Sequence, residues 1–438
     1  MQHCDTLFHA ARILTQNAER AVLDDAALAV RDGRIAAVGP MNELETRWEP
    51  DKRIDLPDML LMPGLVNAHT HAAMTFLRGL ADDMPLMEWL QRRVFPAEKA
   101  LTPHIVRVGS LLGFAEMLRT GTTACIDMYI FEHAVFEAAR LAGLRCLGGE
   151  AIFEFPSASC ASAQAALDAT RALADTWRDD PLLRVAVTPH SVYTTSEALL
   201  RECASLACEL RLPLHLHLAE TREETALCLA RHNRRPTAHA DACGLLRPGA
   251  VLAHAVDVTP DEIALLADRD VRIVHNPSSN MKLASGTAPL PAMLRAGLTA
   301  ALGTDGAASN NQLNMFTEMG RTALLHKLAN NDPTVAAAQA VLDMATLGGA
   351  AAFGTPLLGR LEPGACADFI ALDLTCPNMR PMYNPISHAV YAATGAEVRL
   401  TVVAGRILYQ DGHFTAFDYA ALCQEADAVR DFVVRRLT

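Results

Sequence analysis

The chain has 438 residues, of which 51% are hydrophobic and 20% charged, and its formal net charge is −12. The negative charge argues against a nucleic-acid or anionic-membrane binder, and no apolar run approaches the ~18 residues of a membrane span. Eleven cysteines without a C-x-x-C pair, and an N-terminus without a signal-peptide pattern, favour a cytoplasmic protein with reduced thiols.

Short strands joined by tight turns are predicted for the first 60 residues. The segment "AALAVRDGRIAAVGP" alternates apolar and polar residues around an Asp32-Gly33 turn, which is a hairpin signal.

From about residue 61, short apolar runs alternate with amphipathic segments such as "SEALLRECASLACEL". Eight runs are strand candidates: "LMPGLVNAH", "GTTACIDMY", "LRCLGGEAI", "LLRVAVTPH", "LPLHLHLAE", "AVLAHAVDV", "VRIVHNP" and "LTAALGTD". Eight strands separated by helices predict an α/β fold, a (β/α)8 TIM barrel over residues 61–355.

Segments typical of β-strands return after residue 355, in "GACADFIALDL" and "EVRLTVVAGRILYQDGHF". We predict that residues 1–60 and 356–415 together form a small composite β-sandwich domain, and that a C-terminal helix occupies residues 416–438.

The first barrel run ends in "PGLVNAHTHAAM", where His69 and His71 are two residues apart. Residues i and i+2 of a strand point to the same face, so the two imidazoles would converge on one point and suggest a divalent metal. The alternative is a chance pair of surface histidines.

Polar residues at the ends of the other runs favour the metal. Because the carboxyl ends of barrel strands meet at one face, these residues would share one pocket. They are His190, His215, His217, Glu220, His254, His275 and Asp305. The best metal quartet is His69, His71, His217 and Asp305, which is a zinc-type donor set.

The remaining histidines have other interpretations. His215 shares a face with His217 one layer deeper and is read as a hydrogen-bonded core residue, whereas His190 is either structural or in contact with substrate. We expect His275 either to hydrogen-bond a metal ligand or to stabilise a turn. Two-metal barrels of this type need a bridging carbamylated lysine, and the chain has no lysine between Lys99 and Lys282, so one metal is predicted.

Glu220 follows the predicted ligand His217 by three residues. A zinc ion lowers the pKa of its bound water to ~7, and a neighbouring carboxylate can move a proton from that water to the substrate. His254 and Asp305 would flank the water and hold or relay its protons. The alternative role for Glu220 is to stabilise the first turn of the following helix. The residues thus predict a mononuclear metal hydrolase and leave its substrate open.

Seven ordered motifs carry a family resemblance: "PGLVNAHTHAAMTFLRGLADDMPLMEWL", "FPAEK", "TPHSVYTTS", "HLHLAETREE", "LAHAVDVT", "HNPSSNMKLASG" and "GTDGAASNNQLNMFTEM". Across nearly its whole length the chain resembles the amidohydrolase superfamily, and within it the 5′-methylthioadenosine/S-adenosylhomocysteine deaminases.

The resemblance implies one zinc per subunit on His69, His71, His217 and Asp305, with Glu220 and His254 handling protons. It also implies zinc-dependent hydrolytic deamination of an adenosine-type nucleoside. Glu98 would bind the ribose hydroxyls, His190 and Ser309 would contact the nucleoside, and Trp89 would line the entrance. It further implies a homo-oligomer, a dimer or larger. Without the resemblance, Glu98 would be read as a solvated helix carboxylate, and Ser309 and Trp89 as packing or turn residues.

The sequence departs from the family pattern after the third barrel run. Members acting on S-adenosylhomocysteine are expected to offer arginines there, but "CLGGEAIFEFPSASCASAQAALDAT" has none, and Arg171 follows on a predicted helix. A bidentate carboxylate clamp needs the arginine fork. We therefore expect 5′-methylthioadenosine or adenosine to be preferred over S-adenosylhomocysteine.

Two rival functions remain open. The same machinery could act on another heterocycle, such as guanine, a pteridine or a triazine that loses amine or chloride. Alternatively, the chain could be an inactive relative that serves as a binding or assembly subunit. Such relatives typically lose ligands, whereas every predicted ligand and the acid are present here.

Overall fold

Two strand systems organise the chain: a barrel of parallel strands and a mixed sheet made by both chain ends. The computed structural model describes residues 1–80, 82–84 and 86–437. The N-terminal strands are β1 (Gln2–Leu14), β2 (Val22–Arg31), β3 (Arg34–Pro40) and β4 (Trp48–Pro63). The barrel strands are β5 (Leu65–Thr70), β6 (Thr122–Asp127), β7 (Arg145–Gly148), β9 (Leu183–Val185), β11 (His215–Leu218), β12 (Val251–His254), β13 (Arg272–His275) and β14 (Thr299–Leu302). Short strands β8 (Ala151–Ile152) and β10 (Thr188–Pro189) pair with each other, and β15 (Phe369–Asp373), β16 (Val398–Val403), β17 (Arg406–Gln410) and β18 (His413–Phe414) end the series.

The barrel consists of two four-stranded parallel arcs, β5-β6-β7-β9 and β11-β12-β13-β14. A bridge between Val187 and Leu214 joins the arcs on one side. On the other side the backbone NH of Asp305 donates to the carbonyl of His69 over 3.0 Å. Most of these strands are buried along their whole length, which explains why they appear in the sequence as nearly continuous apolar runs.

Helices follow the barrel strands and cover the outside of the barrel. Several begin with a hydroxyl residue whose side chain accepts a backbone NH of the first turn, which satisfies groups that the helix itself leaves unpaired. These N-caps are Thr102, Ser162, Ser196, Thr221 and Thr259. The α-helices are Met41–Arg47, Leu86–Trp89, Phe95–Glu98, Pro103–Arg119, Glu132–Ala142, Ala163–Thr176, Glu197–Leu210, Arg222–His232, Pro236–Ala242, Pro260–Asp268, Pro277–Lys282, Leu290–Arg295, Ala307–Asn310, Met315–Asn330, Ala338–Asp343, Gly349–Phe353, Pro385–Ser387 and Tyr419–Leu437, with 3₁₀ or π turns at Ala72–Leu77, Leu90–Val94, Met344–Gly348, Pro377–Met379 and His388–Ala392.

The chain ends share one eight-stranded sheet in the order β18-β17-β16-β15-β4-β1-β2-β3. The sheet folds back on itself, because the β2–β3 turn at Gly33 lies against Ala404 in the β16–β17 turn. Gly33 has φ +71°, and a Cβ there would lie 3.0 Å from the Ala404 carbonyl oxygen, so this close approach requires glycine. Apolar residues from both ends fill the space inside, and Phe8 packs edge-on against Phe369.

A buried ion pair joins this sheet to the barrel. The Arg145 guanidinium at the start of β7 donates to both carboxylate oxygens of Asp368, over 2.8 and 3.0 Å. Asp368 also accepts the backbone NH of Ala404. The Asp368 carboxylate thus contacts both the barrel and the sheet.

The predicted fold class is confirmed: the eight apolar runs correspond to the eight barrel strands, and a second sheet is made of both chain ends. The division at residues 60/61 and 355/356 stays a prediction, and β4 itself continues to Pro63. The helix expected over 416–438 begins at Tyr419, and Thr438 lies outside the described residues. Among the described residues, we find no helix with the length and apolar character needed to cross a membrane.

Candidate metal centre and active site

Five buried side chains converge at the carboxyl ends of the barrel strands. His69 lies in β5 and His71 directly follows that strand; His217 lies in β11, His254 ends β12, and Asp305 follows β14. Ligating atoms of His69, His217, His254 and Asp305 all lie within 4.8 Å of one another. His71 joins them, since its Nε2 is 3.2 Å from Asp305 Oδ1 and 3.3 Å from His217 Nε2.

These separations suit a single zinc ion. Tetrahedral ligands ~2.0–2.1 Å from zinc lie roughly 3.3 Å from each other. His69 Nε2 is 3.5 Å from Asp305 Oδ1, yet this buried nitrogen has no hydrogen-bond partner. An unpartnered buried nitrogen is energetically unfavourable, and a metal ion would satisfy it.

Hydrogen bonds from the other ring nitrogens fix which nitrogen of each histidine can bind metal. His71 Nδ1 donates to the carbonyl of Met128, and His217 Nδ1 donates to the carbonyl of His190 over 2.7 Å. With Nδ1 carrying the proton, Nε2 keeps its lone pair.

His215 sets the tautomer of His69 in the same way. Its Nδ1 donates to the Val251 carbonyl, so its Nε2 is left to accept the Nδ1 proton of His69 over 2.9 Å. His215 is fully buried and acts as a hydrogen-bonded support behind the centre. Burial lowers the pKa of His69 to about 4, which keeps this imidazole neutral.

Asp305 is held by several donors in a strained backbone conformation. Its φ is +61°, a left-handed value that non-glycine residues rarely adopt outside turns and functional sites. Its Oδ2 accepts the hydroxyls of Ser279 and Ser309 over 2.6 and 2.9 Å, which leaves Oδ1 facing the histidines.

Glu220 lies at the edge of the centre, away from the crowded donor atoms. Its Oε2 is 3.9 Å from His254 Nε2 and its Oε1 is 3.5 Å from the Ser285 hydroxyl. Burial raises its pKa, which suits a group that must hold and release a proton near neutral pH. The Glu220 side chain thus faces His254 and Ser285, while the Thr221 hydroxyl accepts the Glu224 backbone NH in the first turn of the following helix.

The four residues expected to contact substrate line one cavity with the metal-site residues. Trp89 and Ser309 are buried, Glu98 and His190 are partly exposed, and burial raises the pKa of Glu98 to about 7. The cavity lining is otherwise mostly apolar: Met74, Leu90, Val94, Phe95, Met128, Ile130, Ala151, Phe153 and Leu283.

Two tyrosines of this lining, Tyr129 and Tyr193, were missed by the sequence analysis. Tyr129 follows β6 by two residues, and Tyr193 lies three residues after His190. Both tyrosines therefore lie shortly after a strand, as do the histidines that the sequence identified as site residues. Tyrosine is also an ordinary core residue, and its type alone gives no such signal.

Comparisons with known proteins agree with this geometry. Residues 60–408 match the amidohydrolase family, and residues 26–48 match an imidazolonepropionase-like composite domain of bacteria. A 5-methylthioadenosine/S-adenosylhomocysteine deaminase of Desulfovibrio desulfuricans is 61% identical over 436 residues, covering 100% of this chain and 99% of the relative. A 5′-deoxyadenosine deaminase of Methanothermobacter thermautotrophicus is 42% identical, covering 91% and 92%.

A solved structure extends the likeness to three dimensions. The zinc-bound adenosine deaminase of Xanthomonas campestris superposes with a TM-score of 0.97 at 40% identity, over 99% of both chains.

Proposed function

Because the chain belongs to the amidohydrolase family, among the 5-methylthioadenosine/S-adenosylhomocysteine deaminases, we propose that it deaminates the adenine ring of adenosine-type nucleosides. Water and the nucleoside would give the inosine analogue and ammonia. The observation that supports this most is the convergence of three imidazoles and one carboxylate beside Glu220, in a cavity that also contains Glu98.

The ligands that we propose for one zinc ion per subunit are His69, His71, His217 and Asp305. When bound, zinc lowers the pKa of a coordinated water towards ~7 and so supplies a nucleophile at neutral pH. His254 lies within the same cluster, but its Nδ1 contacts the Asn280 side chain and its Nε2 faces Glu220. This contact suits a group that exchanges protons with Glu220.

Glu220 would take a proton from the attacking water and deliver it to the ring nitrogen next to the amino-bearing carbon. Protonation of that nitrogen makes the carbon electrophilic, which offsets the loss of ring conjugation during attack. His254 and Asp305 would hold or relay the remaining protons until ammonia leaves.

Glu98 would accept hydrogen bonds from the ribose hydroxyls, with His190, Ser309 and Trp89 also contacting the nucleoside. A binding group for ribose favours nucleosides over free guanine, pteridines or triazines. Activity on free bases but not on nucleosides would reverse this ranking.

The surroundings of the cavity support a preference for uncharged 5′-groups. The cavity is lined by no arginine or lysine among the described residues, and the adjoining cavity is walled by Phe95, Ile130, Phe153 and Phe155. Lys99 in that second cavity is an exposed single amine and lacks the fork of a bidentate clamp. Arg231 lines a third neighbouring cavity, where one end of its guanidinium donates to the Tyr193 carbonyl. We therefore propose that 5′-methylthioadenosine and adenosine are better substrates than S-adenosylhomocysteine.

A nucleoside panel tests the proposal. The loss of absorbance on conversion of adenine to hypoxanthine gives kcat/KM for 5′-methylthioadenosine, adenosine and S-adenosylhomocysteine, and zinc is counted in the same preparation. About one zinc per chain and a preference for the first two substrates are expected. A preference for S-adenosylhomocysteine would show that another cation binds the carboxylate. Absence of both zinc and ammonia release would favour the inactive-relative hypothesis.

We further propose a cytoplasmic homo-oligomer. All eleven cysteines are free, as expected in a reducing compartment. Leu324 and Leu328, on one helix, are 62% and 78% exposed and are the apolar surface that we would place in a subunit contact. Size-exclusion chromatography with light scattering would test the oligomer, and a monomeric mass would contradict it.

A further inference from the structure

Glu318 is a fully buried carboxylate behind the metal centre, in the first turn of the helix Met315–Asn330. Its Oε1 accepts the hydroxyl of Ser278 and the side-chain amide of Asn310, the latter over 2.9 Å. Its Oε2 accepts the backbone NH of Ser278 over 3.2 Å. This carboxylate thus receives donors from two other segments of the chain and joins them.

The two segments are the ones that hold Asp305. Ser278 precedes Ser279 in the short helix that follows β13. Asn310 follows Ser309 in the short helix that follows β14. The hydroxyls of Ser279 and Ser309 both donate to Asp305 Oδ2. The carboxylate that joins the segments therefore contacts the direct neighbour of each serine.

Asn310 extends the link to the backbone of Asp305. Its side-chain amide also donates to the carbonyl of Thr304 over 2.7 Å, and the Thr304 hydroxyl donates to the carbonyl of Asp305 over 2.9 Å. The φ of Asp305 is +61°, and such a conformation persists only where the surrounding structure holds it. Glu318 is therefore connected to both the side chain and the backbone of this proposed metal ligand.

The contacts of Glu318 require an acceptor at both carboxylate oxygens. Arg321 Nη1 donates to the Ser278 hydroxyl oxygen over 2.6 Å, while the proton of that hydroxyl points to Glu318. An amide in place of the carboxylate would turn its NH2 either to the Asn310 amide or to the Ser278 backbone NH, and both of these are donors. Glutamine at this position thus keeps the volume of the side chain and breaks one of its contacts.

We propose that Glu318 is a positioning residue for the deamination, which holds the two serine-bearing segments so that Asp305 keeps Oδ1 towards the histidines. This inference rests on the proposed function. Glu318 acts only through Ser279 and Ser309, whose hydroxyls orient the carboxylate of Asp305. Loss of a group that orients metal ligands typically lowers metal affinity or activity ~10–100-fold.

The experiment compares Glu318→Gln with Glu397→Gln, because the chain contains a second buried carboxylate with the same kinds of donor. Glu397 is 3% exposed and directly precedes β16 of the terminal sheet. It accepts the backbone NH and the hydroxyl of Thr394 and the side-chain amide of Asn378. The control therefore loses an equivalent set of contacts in a different part of the fold.

We expect Glu318→Gln to lower kcat for 5′-methylthioadenosine ~10–100-fold with KM within about threefold of the wild type, and to lose zinc to a chelator faster. Assays at about pH 8 keep the wild-type carboxylate ionised, since burial raises the pKa of Glu318 to about 7. Glu397→Gln should keep kcat and zinc retention, and its Tm measures the effect of the lost contacts on stability alone. Ser278→Ala, which removes a single hydroxyl, should lower kcat by a smaller factor and serves as the test if Glu318→Gln does not fold.

A double variant shows whether Glu318 acts through the serines. In the Ser279→Ala background, Glu318→Gln should lower kcat by a smaller factor than it does alone, because both changes weaken the same support. Full additivity would overturn the inference, as would equal losses of kcat in Glu318→Gln and Glu397→Gln, or wild-type kcat or zinc retention in Glu318→Gln. If the wild type deaminates no nucleoside, the proposed function itself fails, and this is visible before any variant is compared.

Discussion

The replacement of Glu220 by glutamine separates proton transfer from metal binding. Glutamine keeps the volume of the side chain and its contact with the Ser285 hydroxyl, and the backbone NH of residue 220 still donates to Glu224. The substitution removes only the capacity to hold and release a proton. We expect Glu220→Gln to retain zinc and to lose turnover.

The expected size of each effect follows from the distances. General acid–base catalysis contributes ~10²–10⁴-fold, so kcat should fall by that factor, equivalent to about 3–5 kcal/mol in the barrier. The contact between Glu220 and the cluster is 3.9 Å, to His254, whereas His71 is 3.2 and 3.3 Å from Asp305 and His217. Loss of Glu220 should therefore leave the zinc content near one per chain.

The assay compares three variants by zinc content and by absorbance-monitored deamination of 5′-methylthioadenosine. His217→Ala removes a proposed ligand and should lose both metal and activity. Glu223→Gln, an exposed position three residues along the chain, should behave like the wild type. The reasoning would be refuted if Glu220→Gln kept more than a tenth of the activity, or if it lost zinc as completely as His217→Ala.

Three further predictions concern the support of Asp305, the charge of Glu98 and the link between barrel and sheet. Ser279→Ala removes the 2.6 Å donor to Asp305 Oδ2 and should lower kcat/KM ~10–100-fold, measured by steady-state kinetics, because hydrogen bonds to charged groups are worth ~1.5–3 kcal/mol. Since the pKa of Glu98 is raised to about 7, the fraction of ionised acceptor increases through that value, and KM for 5′-methylthioadenosine should fall between about pH 6 and about pH 8. Asp368→Ala leaves the Arg145 charge buried without its partner and should lower the free energy of unfolding in urea by about 3–5 kcal/mol.

Each of these has a control that can contradict it. A Ser279→Ala enzyme with unchanged kcat/KM would mean that Ser309 alone suffices to hold Asp305. A pH dependence of KM that persists in Glu98→Gln would belong to another group. If the double variant Arg145→Leu/Asp368→Ala is as unstable as Asp368→Ala alone, the loss does not arise from an unpaired arginine.

Much of the fold and of the centre could be predicted because the signals are local. The apolar runs that became β5 to β14 are continuous because most are buried on both faces, and their order alone implies a barrel. His69 and His71 converge because a strand repeats every two residues. The closed barrel then brings His217, His254 and Asp305 to the same end, whatever their separation in sequence.

The remainder depends on contacts that no local pattern encodes. Nothing near Ser279 indicates that its hydroxyl would meet Asp305, and Tyr129 is indistinguishable in sequence from a core tyrosine. The folding of the terminal sheet onto itself depends on Gly33 lying against Ala404, which are far apart in the chain. Such contacts join residues that are far apart in the chain, so their positions are determined only by the complete fold.

The sharing of one sheet by both chain ends has a consequence for synthesis on the ribosome. Strand β4 ends at Pro63, but its partner β15 begins at Phe369, roughly 300 residues later, which at ~5–20 residues per second is about 15–60 seconds of translation. During that interval β4 presents an unpaired hydrogen-bonding edge to whatever is nearby. We therefore expect that edge to be open to pairing with a neighbouring polypeptide until β15 has been synthesised.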